Sequence, residues 1–277
     1  MDRSISCGSC HNPAAAFADN RAVSIGINNC AGTRNAFPLF NLAWQHTFMW
    51  DGSSTDVERS SLNALTNACE MGNTLPNIVT RLQGMPGYPA LFQSAFGTSE
   101  VTEDRVFKAL TQFVGSMVSA NSKYDRVKRA EQNTTFTSEE QAGYGLFLQK
   151  CGSCHTEPFF TDETFRNNGL DLVSADAGRA LITLKTEDVG KFRIPSLRNV
   201  QVTGPYMHDG RFNNLMQVLD HYASGVKKHS NLDPELDKAD GPGFPMSNQD
   251  KNNIIAFLRT LTDTDFLADV RFRRPPN

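Results

Sequence analysis

The pentapeptide Cys-Gly-Ser-Cys-His occurs twice, at Cys7–His11 and at Cys151–His155. No other feature constrains the chain as tightly. C-x-x-C-H is the spacing of covalent c-type haem attachment. Two thiols add across the two vinyl groups of one porphyrin, and the adjacent histidine lies under the iron as its proximal ligand. A redox C-x-x-C pair needs no following histidine. A zinc site needs a second ligand cluster close by, whereas these motifs lie 144 residues apart. The duplication therefore predicts two covalently bound haem c groups, one on Cys7, Cys10 and His11 and one on Cys151, Cys154 and His155.

Composition excludes several alternatives. Hydrophobic residues are 39% of the 277, before the 20 glycines are counted, which is ordinary for a globular protein and excludes intrinsic disorder. With 27 Lys and Arg against 30 Asp and Glu, the net charge of −3 offers no cationic field for nucleic acid or an anionic membrane. No apolar run approaches the ~18 residues of a membrane span. Met1-Asp2-Arg3-Ser4 leads directly into the first motif, without the features of a secretory signal. Covalent haem is attached outside the cytoplasm. A periplasmic protein is therefore expected, with its signal and further native sequence upstream of this chain.

The apolar pattern is helical. Val106, Leu110, Phe113, Val114 and Met117 recur three and four apart after Thr102, a helix N-cap, with Val101 and Val106 as a hydrophobic staple. Thr137 with Glu140 forms a capping box opening a helix that runs into Cys151, and Ser247 with Asp250 starts another through Leu261. Shorter helices are expected near 56–68, 76–83, 88–95 and 215–223, with Gly- and Pro-rich loops at 24–38, 84–89, 157–210 and 224–245. Loops of that length wrap a cofactor or carry function. The polar stretch Lys128–Thr135 is the best domain boundary. The expectation is a mainly α protein of two cytochrome c-like helical domains, 1–132 and 133–277, each carrying one haem.

Further motifs surround the pentapeptides. The first half contains Arg34-Asn35-Ala36-Phe37-Pro38-Leu39-Phe40-Asn41, then Trp50-Asp51-Gly52 and Glu70-Met71. The second contains Ile194-Pro195-Ser196-Leu197-Arg198-Asn199-Val200 and Thr203-Gly204-Pro205-Tyr206-Met207-His208-Asp209-Gly210-Arg211. From Ser4 to about Thr262 this ordered set resembles the bacterial dihaem cytochrome c peroxidase family, which includes the MauG-like enzymes.

The resemblance implies that the His11 haem reacts with hydrogen peroxide and that the His155 haem transfers electrons. It puts the family's intervening tryptophan on Trp50 and its distal glutamate on Glu70. It puts an interdomain calcium site on the Asn35 side chain and the Thr203 and Pro205 carbonyls, oxygen ligands that suit a hard cation. Each position also has a bland reading: Glu70 as a solvated loop carboxylate, Trp50 as packing. Peroxide cleavage, however, needs a group that moves a proton between the two oxygens. Trp44 and His46 match no family role, and Trp44 is assigned to the core. His208 is expected to organise the haem edge rather than to ligate iron.

Three positions depart from the resemblance. Reductively activated members carry a ligating histidine in Ser-Ile-Gly-His; here the run is Ser24-Ile25-Gly26-Ile27, and isoleucine cannot bind iron. The first haem should then be open and reactive when fully ferric. Fourteen residues past His208, where methionine is usual as distal ligand of the second haem, stands Tyr222. MauG-like enzymes have tyrosine there, and phenolate favours ferric iron whereas methionine raises the potential. The alternative is a buried Tyr222 with Met207 or Met216 as ligand. Ten residues before Glu70, where the family often has glutamine, stands Ser60.

The remaining cysteines, Cys30 and Cys69, fall in segments that the resemblance places on the distal side of the first haem. A disulfide between them would tether the loop and keep the pocket open; two independent buried thiols are the alternative.

The leading expectation is a MauG-like peroxidase that spends the oxidising equivalents of hydrogen peroxide on a protein side chain. The first alternative is a reductively activated peroxidase fed by a small electron-donor protein. The second is a dihaem electron-transfer cytochrome, against which Ile27 and Glu70 count. A peroxide sensor or inactive relative stays open through Ser60. So does the oligomeric state, a homodimer included.

Overall fold

The computed structural model describes residues 4–273. Residues 1–3 and 274–277, the outermost residues of the two expected domains, lie outside the described residues.

Side-chain caps set where the helices begin. The Asp56 side chain accepts from the Arg59 N–H and starts α1 (Val57–Thr66). Pro at the first turn starts α2 (Leu75–Gly84) and α3 (Tyr88–Phe96). Thr102 caps α4 (Glu103–Gly115), and Val101 and Val106 meet in one apolar cluster with Phe92 from α3. A Ser122–Asp125 capping box opens α5 (Lys123–Lys128), a helix that the apolar periodicity did not reveal because only six residues form it. The Thr137–Glu140 and Ser247–Asp250 boxes open α6 (Ser138–Lys150) and α9 (Asn248–Arg259) as expected. Between them lie α7 (Ala180–Thr183) and α8 (Leu215–Asp220), and α10 (Thr264–Ala268) follows. Strand content is slight: β1 (Phe165–Arg166) pairs antiparallel with β2 (Phe192–Arg193), and β3 (Asp237–Lys238) with β4 (Gly241–Pro242).

The largest core belongs to the second half. Phe147 of α6 and Ile254, Phe257 and Leu258 of α9 pack with Phe160, Leu215 and Leu219. A side chain at Gly143 would overlap the Asn253 carbonyl, so glycine lets α6 and α9 touch backbone to backbone. A second core joins Ala16, Phe17, Phe40 and Met117 to Phe266 and Phe272. Each core thus borrows from the other side of residue 132: Tyr124 of α5 packs in the larger one, and α10 packs in the smaller.

Polar contacts bind the halves together. The Arg198 guanidinium donates to both Asp125 oxygens at 2.9 and 2.8 Å, and both side chains are buried. The Asn199 side chain donates to Ser119 at 2.9 Å and accepts from the Asp263 N–H at 2.8 Å. Arg34 bridges Asp51 at 2.6 Å and Asp176 at 2.7 Å.

One core assignment needs correction. Trp44 is 48% exposed and stacks on Phe159 with ring centroids 5.7 Å apart. It ends a single 3-10 turn, Leu42–Trp44, in which Leu42 is the residue that turns inward, leaving the indole on the outside.

Candidate functional site

The two pentapeptides form the same local structure. The His11 N–H donates to the Cys7 carbonyl at 2.9 Å, and the His155 N–H donates to the Cys151 carbonyl at 2.9 Å. This turn brings both cysteines and the histidine to one side. In each copy the ring is then fixed by a phenylalanine carbonyl further on: His11 Nδ1 lies 2.8 Å from the Phe17 oxygen, and His155 Nδ1 lies 3.0 Å from the Phe160 oxygen. Both phenylalanines have left-handed backbones, φ 62° and 56°. A carbonyl only accepts, so Nδ1 carries the proton and Nε2 keeps its lone pair, the tautomer that binds a metal. Burial, opposed in part by these carbonyls, lowers both imidazole pKa values and keeps the rings neutral.

Around His155 the chain builds one cavity. Cys151, Cys154, Tyr222 and Met207 line it; Met216 is not among its lining residues. Tyr222 sits in a π-helical turn, His221–Gly225, that continues α8. Such turns recur at functional sites. Burial pushes the Tyr222 phenol up to about 12 and the Cys151 thiol up to about 12. The same cavity reaches Trp50, His208, Asn35, Thr203 and Pro205.

The structure therefore brings together all the second-half site residues and two from the first half, Asn35 and Trp50. Trp50 is buried between them, its indole N–H donating to the Asn35 carbonyl at 2.9 Å. His208 stacks on Phe192 with centroids 3.8 Å apart and meets Trp50 edge-on. The Asn35 Nδ2 donates to the Arg21 and Ala22 carbonyls, which turns its Oδ1 the other way.

Sequence reading missed Arg193. Its guanidinium lines the cavity and is 3% exposed, and its Nε and Nη1 have no hydrogen-bond partner among the described residues. Burial lowers its pKa to about 10. A buried cation left this way calls for an anion. The available signal was its place directly before Ile194-Pro195. The residues present thus fit a covalent haem: two thiols, an imidazole Nε2, apolar walls including Phe147, Leu215 and Ile254, and an unpaired guanidinium for a porphyrin carboxylate.

The first site is built from loops. Glu70 follows α1 on a turn, its side chain accepting from Asn67 Nδ2 at 3.0 Å. Burial, opposed by that bond, raises its pKa, and its charge acts on the Cys10 thiol. Ile27 lies at the tip of a hairpin whose N–H donates to the Glu70 carbonyl at 2.8 Å. Cys30 and Cys69 form a disulfide. Ser60 donates to the Asp56 carbonyl of its own helix, so its hydroxyl is spent locally.

Comparison with known proteins resolves the family. The family model for di-haem cytochrome c peroxidase matches residues 1–133. The methylamine utilization protein MauG of Methylorubrum extorquens is 34% identical over 263 residues, 93% of this chain and 72% of that protein. The chain belongs to the dihaem cytochrome c peroxidase family. Cytochrome c551 peroxidase of Nitrosomonas europaea is 31% identical, across 93% of this chain and 74% of its own. The crystal structure of a MauG-like protein associated with microbial copper homeostasis superposes with a TM-score of 0.91 at 31% identity, covering 98% of this chain and 87% of that one. Membership in this family carries two haem groups, as the paired pentapeptides led one to expect, and a mainly helical fold, as the apolar periodicity did. Among the described residues, no helix is long and apolar enough to cross a membrane.

Proposed function

We propose that this protein is a MauG-like dihaem peroxidase acting on hydrogen peroxide at the His11 site and on a protein side chain through the His155 site. The observation that carries this reading is the pairing of Ile27 with Glu70. A side chain that cannot bind iron stands at the tip of the hairpin where blocked relatives carry histidine, and it rests against the carboxylate segment.

Bound haem iron supplies the two-electron reduction of peroxide. The chain's own part is proton transfer and placement. Glu70, with its pKa raised by burial, takes a proton from the inner peroxide oxygen and returns it to the outer one. Trp50 is held between the halves by its bond to Asn35 and its contact with Phe37 at 4.2 Å, and serves as the bridging aromatic. Tyr222, which lines the second cavity, would ligate the iron there. Its phenol, held neutral by burial, gives up its proton only against a compensating cation. Arg193 pairs with a haem carboxylate. Asn35 Oδ1 with the Thr203 and Pro205 carbonyls would hold a calcium ion at the junction of the halves. Covalent haem and the Cys30–Cys69 bridge both favour the periplasm.

The test is to mix fully ferric protein with hydrogen peroxide in a stopped-flow spectrometer. Rapid reaction without pre-reduction, with a near-infrared band from charge shared by the haems, is expected. Reaction only after one haem is reduced would overturn this reading in favour of a peroxidase fed by a small electron-donor protein. Met207, which also lines the second cavity, is the ligand that the second reading would use.

A further inference from the structure

The Cys30–Cys69 disulfide joins two segments that meet beside the peroxide site, with Cα atoms 5.1 Å apart. Cys30 closes a tight hairpin. Ile25 pairs with Ala31, the Gly26 N–H donates to the Cys30 carbonyl at 2.8 Å, and the Cys30 N–H donates to the Ile27 carbonyl at 3.1 Å. Cys69 directly precedes Glu70. The segments touch along their length. A Cβ on Gly26 would overlap the Cys69 and Glu70 carbonyls, so only glycine lets the hairpin lie this close. At its base, the hairpin is anchored by Ser24, which donates to Asp19 at 2.8 Å and contacts the Cys10 thiol. A continuous strut thus runs from the first haem-attachment turn to Glu70.

Apart from the hairpin, Glu70 is held by the turn's own backbone: the Glu70 and Gly72 N–H groups donate to the Asn67 carbonyl at 3.0 and 2.8 Å, and the Met71 N–H donates to the Ala64 carbonyl at 3.2 Å. α1 ends at Thr66, and Asn67–Gly72 is an irregular turn. The carboxylate's bond comes from Asn67, which is itself exposed. A group that moves a proton must stay within a fraction of an ångström of its working position.

We infer that the Cys30–Cys69 disulfide is the positioning element for Glu70, and that peroxide chemistry at this site is therefore under thiol–disulfide control. The inference rests on the proton-transfer reading of Glu70. A dithiol gives the bridge two electrons and two protons: the S–S bond breaks, Cys30 and Cys69 become thiols, and the dithiol closes to its own disulfide. Glu70 is then tied to the hairpin by the Ile27 hydrogen bond and van der Waals contact alone. The reverse exchange restores the strut.

The experiment uses the haem-loaded protein. Its motif cysteines are consumed in thioether bonds, so alkylation reads Cys30 and Cys69 alone. The protein is reduced with a dithiol, alkylated, and returned to the fully ferric state. Two alkyl groups are expected after reduction and none before. Amide exchange at Gly26 and Ile27 should accelerate, and the reaction with peroxide should slow by roughly ten- to a hundredfold. The double variant Cys30→Ala/Cys69→Ala should behave the same without reductant and ignore its addition. Glu70→Gln separates the two claims. If the bridge acts through Glu70, opening it changes the Glu70→Gln rate little. A peroxide rate indifferent to Glu70→Gln overturns the proton-transfer reading itself. A slowed Glu70→Gln protein, with a bridgeless protein that reacts at the parent rate, overturns the positioning inference alone. So does bridge loss that slows both backgrounds equally. Alkylation of two cysteines before reduction would also overturn it.

Discussion

The two haem-attachment turns share their hydrogen bonds almost atom for atom, yet they stand in opposite surroundings. Cys151–His155 comes off the end of α6, a 13-residue helix, into a cavity walled by the largest core. Cys7–His11 follows the irregular segment Ser4–Ser6, and loops edge its site, two of them joined by a disulfide. The pentapeptide therefore dictates attachment, and a phenylalanine carbonyl a few residues on sets the histidine tautomer. The elements around it differ: helices enclose the second site and loops edge the first. A site enclosed by helices buries a phenol at Tyr222. A site edged by a strapped hairpin can leave room for peroxide.

The largest test of this contrast is Glu70→Gln. It should slow the ferric protein's reaction with peroxide by about 10²–10⁴-fold, with the absorption spectrum of the second haem unchanged. Tyr222→Met should act on the other side alone. It should raise the second haem's potential in a spectroelectrochemical titration and leave the first haem's initial peroxide step in place. A Tyr222→Met spectrum identical to the parent would remove tyrosine from the ligand set.

Stability tests follow. Asp125→Ala strands the buried Arg198 guanidinium beside the larger core and should cost about 3–5 kcal/mol in denaturant unfolding. Loss of the Cys30–Cys69 bridge, which closes a sequence separation of 39, should cost about 2–4 kcal/mol, concentrated in the first half. Gly143→Ala, forced against the Asn253 carbonyl, should cost roughly 1–3 kcal/mol.

The smallest effects concern pH, and the two carboxylates behind them are shifted in opposite directions. Burial raises the Asp125 pKa, but hydrogen bonds from Arg198 and Ser122 outweigh it and leave the value depressed. Its stabilisation is complete above the ordinary aspartate range near pH 4 and is lost as the pH falls through the depressed value. Glu70 shifts upward through burial, so its carboxylate is lost while the pH is still above the ordinary glutamate range near 4.3. The peroxide rate should fall there on acidification, and Glu70→Gln should flatten that limb.

The legible parts of the sequence were those where chemistry acts over a few residues. C-x-x-C-H names a covalent reaction, and the capping boxes at Thr137 and Ser247 state where a helix starts, because donor and acceptor lie three residues apart. Ile27 could be read as unable to bind iron from its side chain alone. Tertiary structure decided the rest. Trp44 turned outward because a one-turn helix can bury one face only. Arg193 became a buried cation over the Phe37 ring, with its Nε and Nη1 left without hydrogen-bond partners among the described residues, only once the chain folded a cavity around it. Pairing of Cys30 with Cys69 depended on two loops meeting across a gap of 39 residues, and α10 packed against Phe17 from the far end of the chain. Local bonds are written in local spacing. Burial and long-range contact are properties of the whole packed chain, and no short stretch of residues contains them.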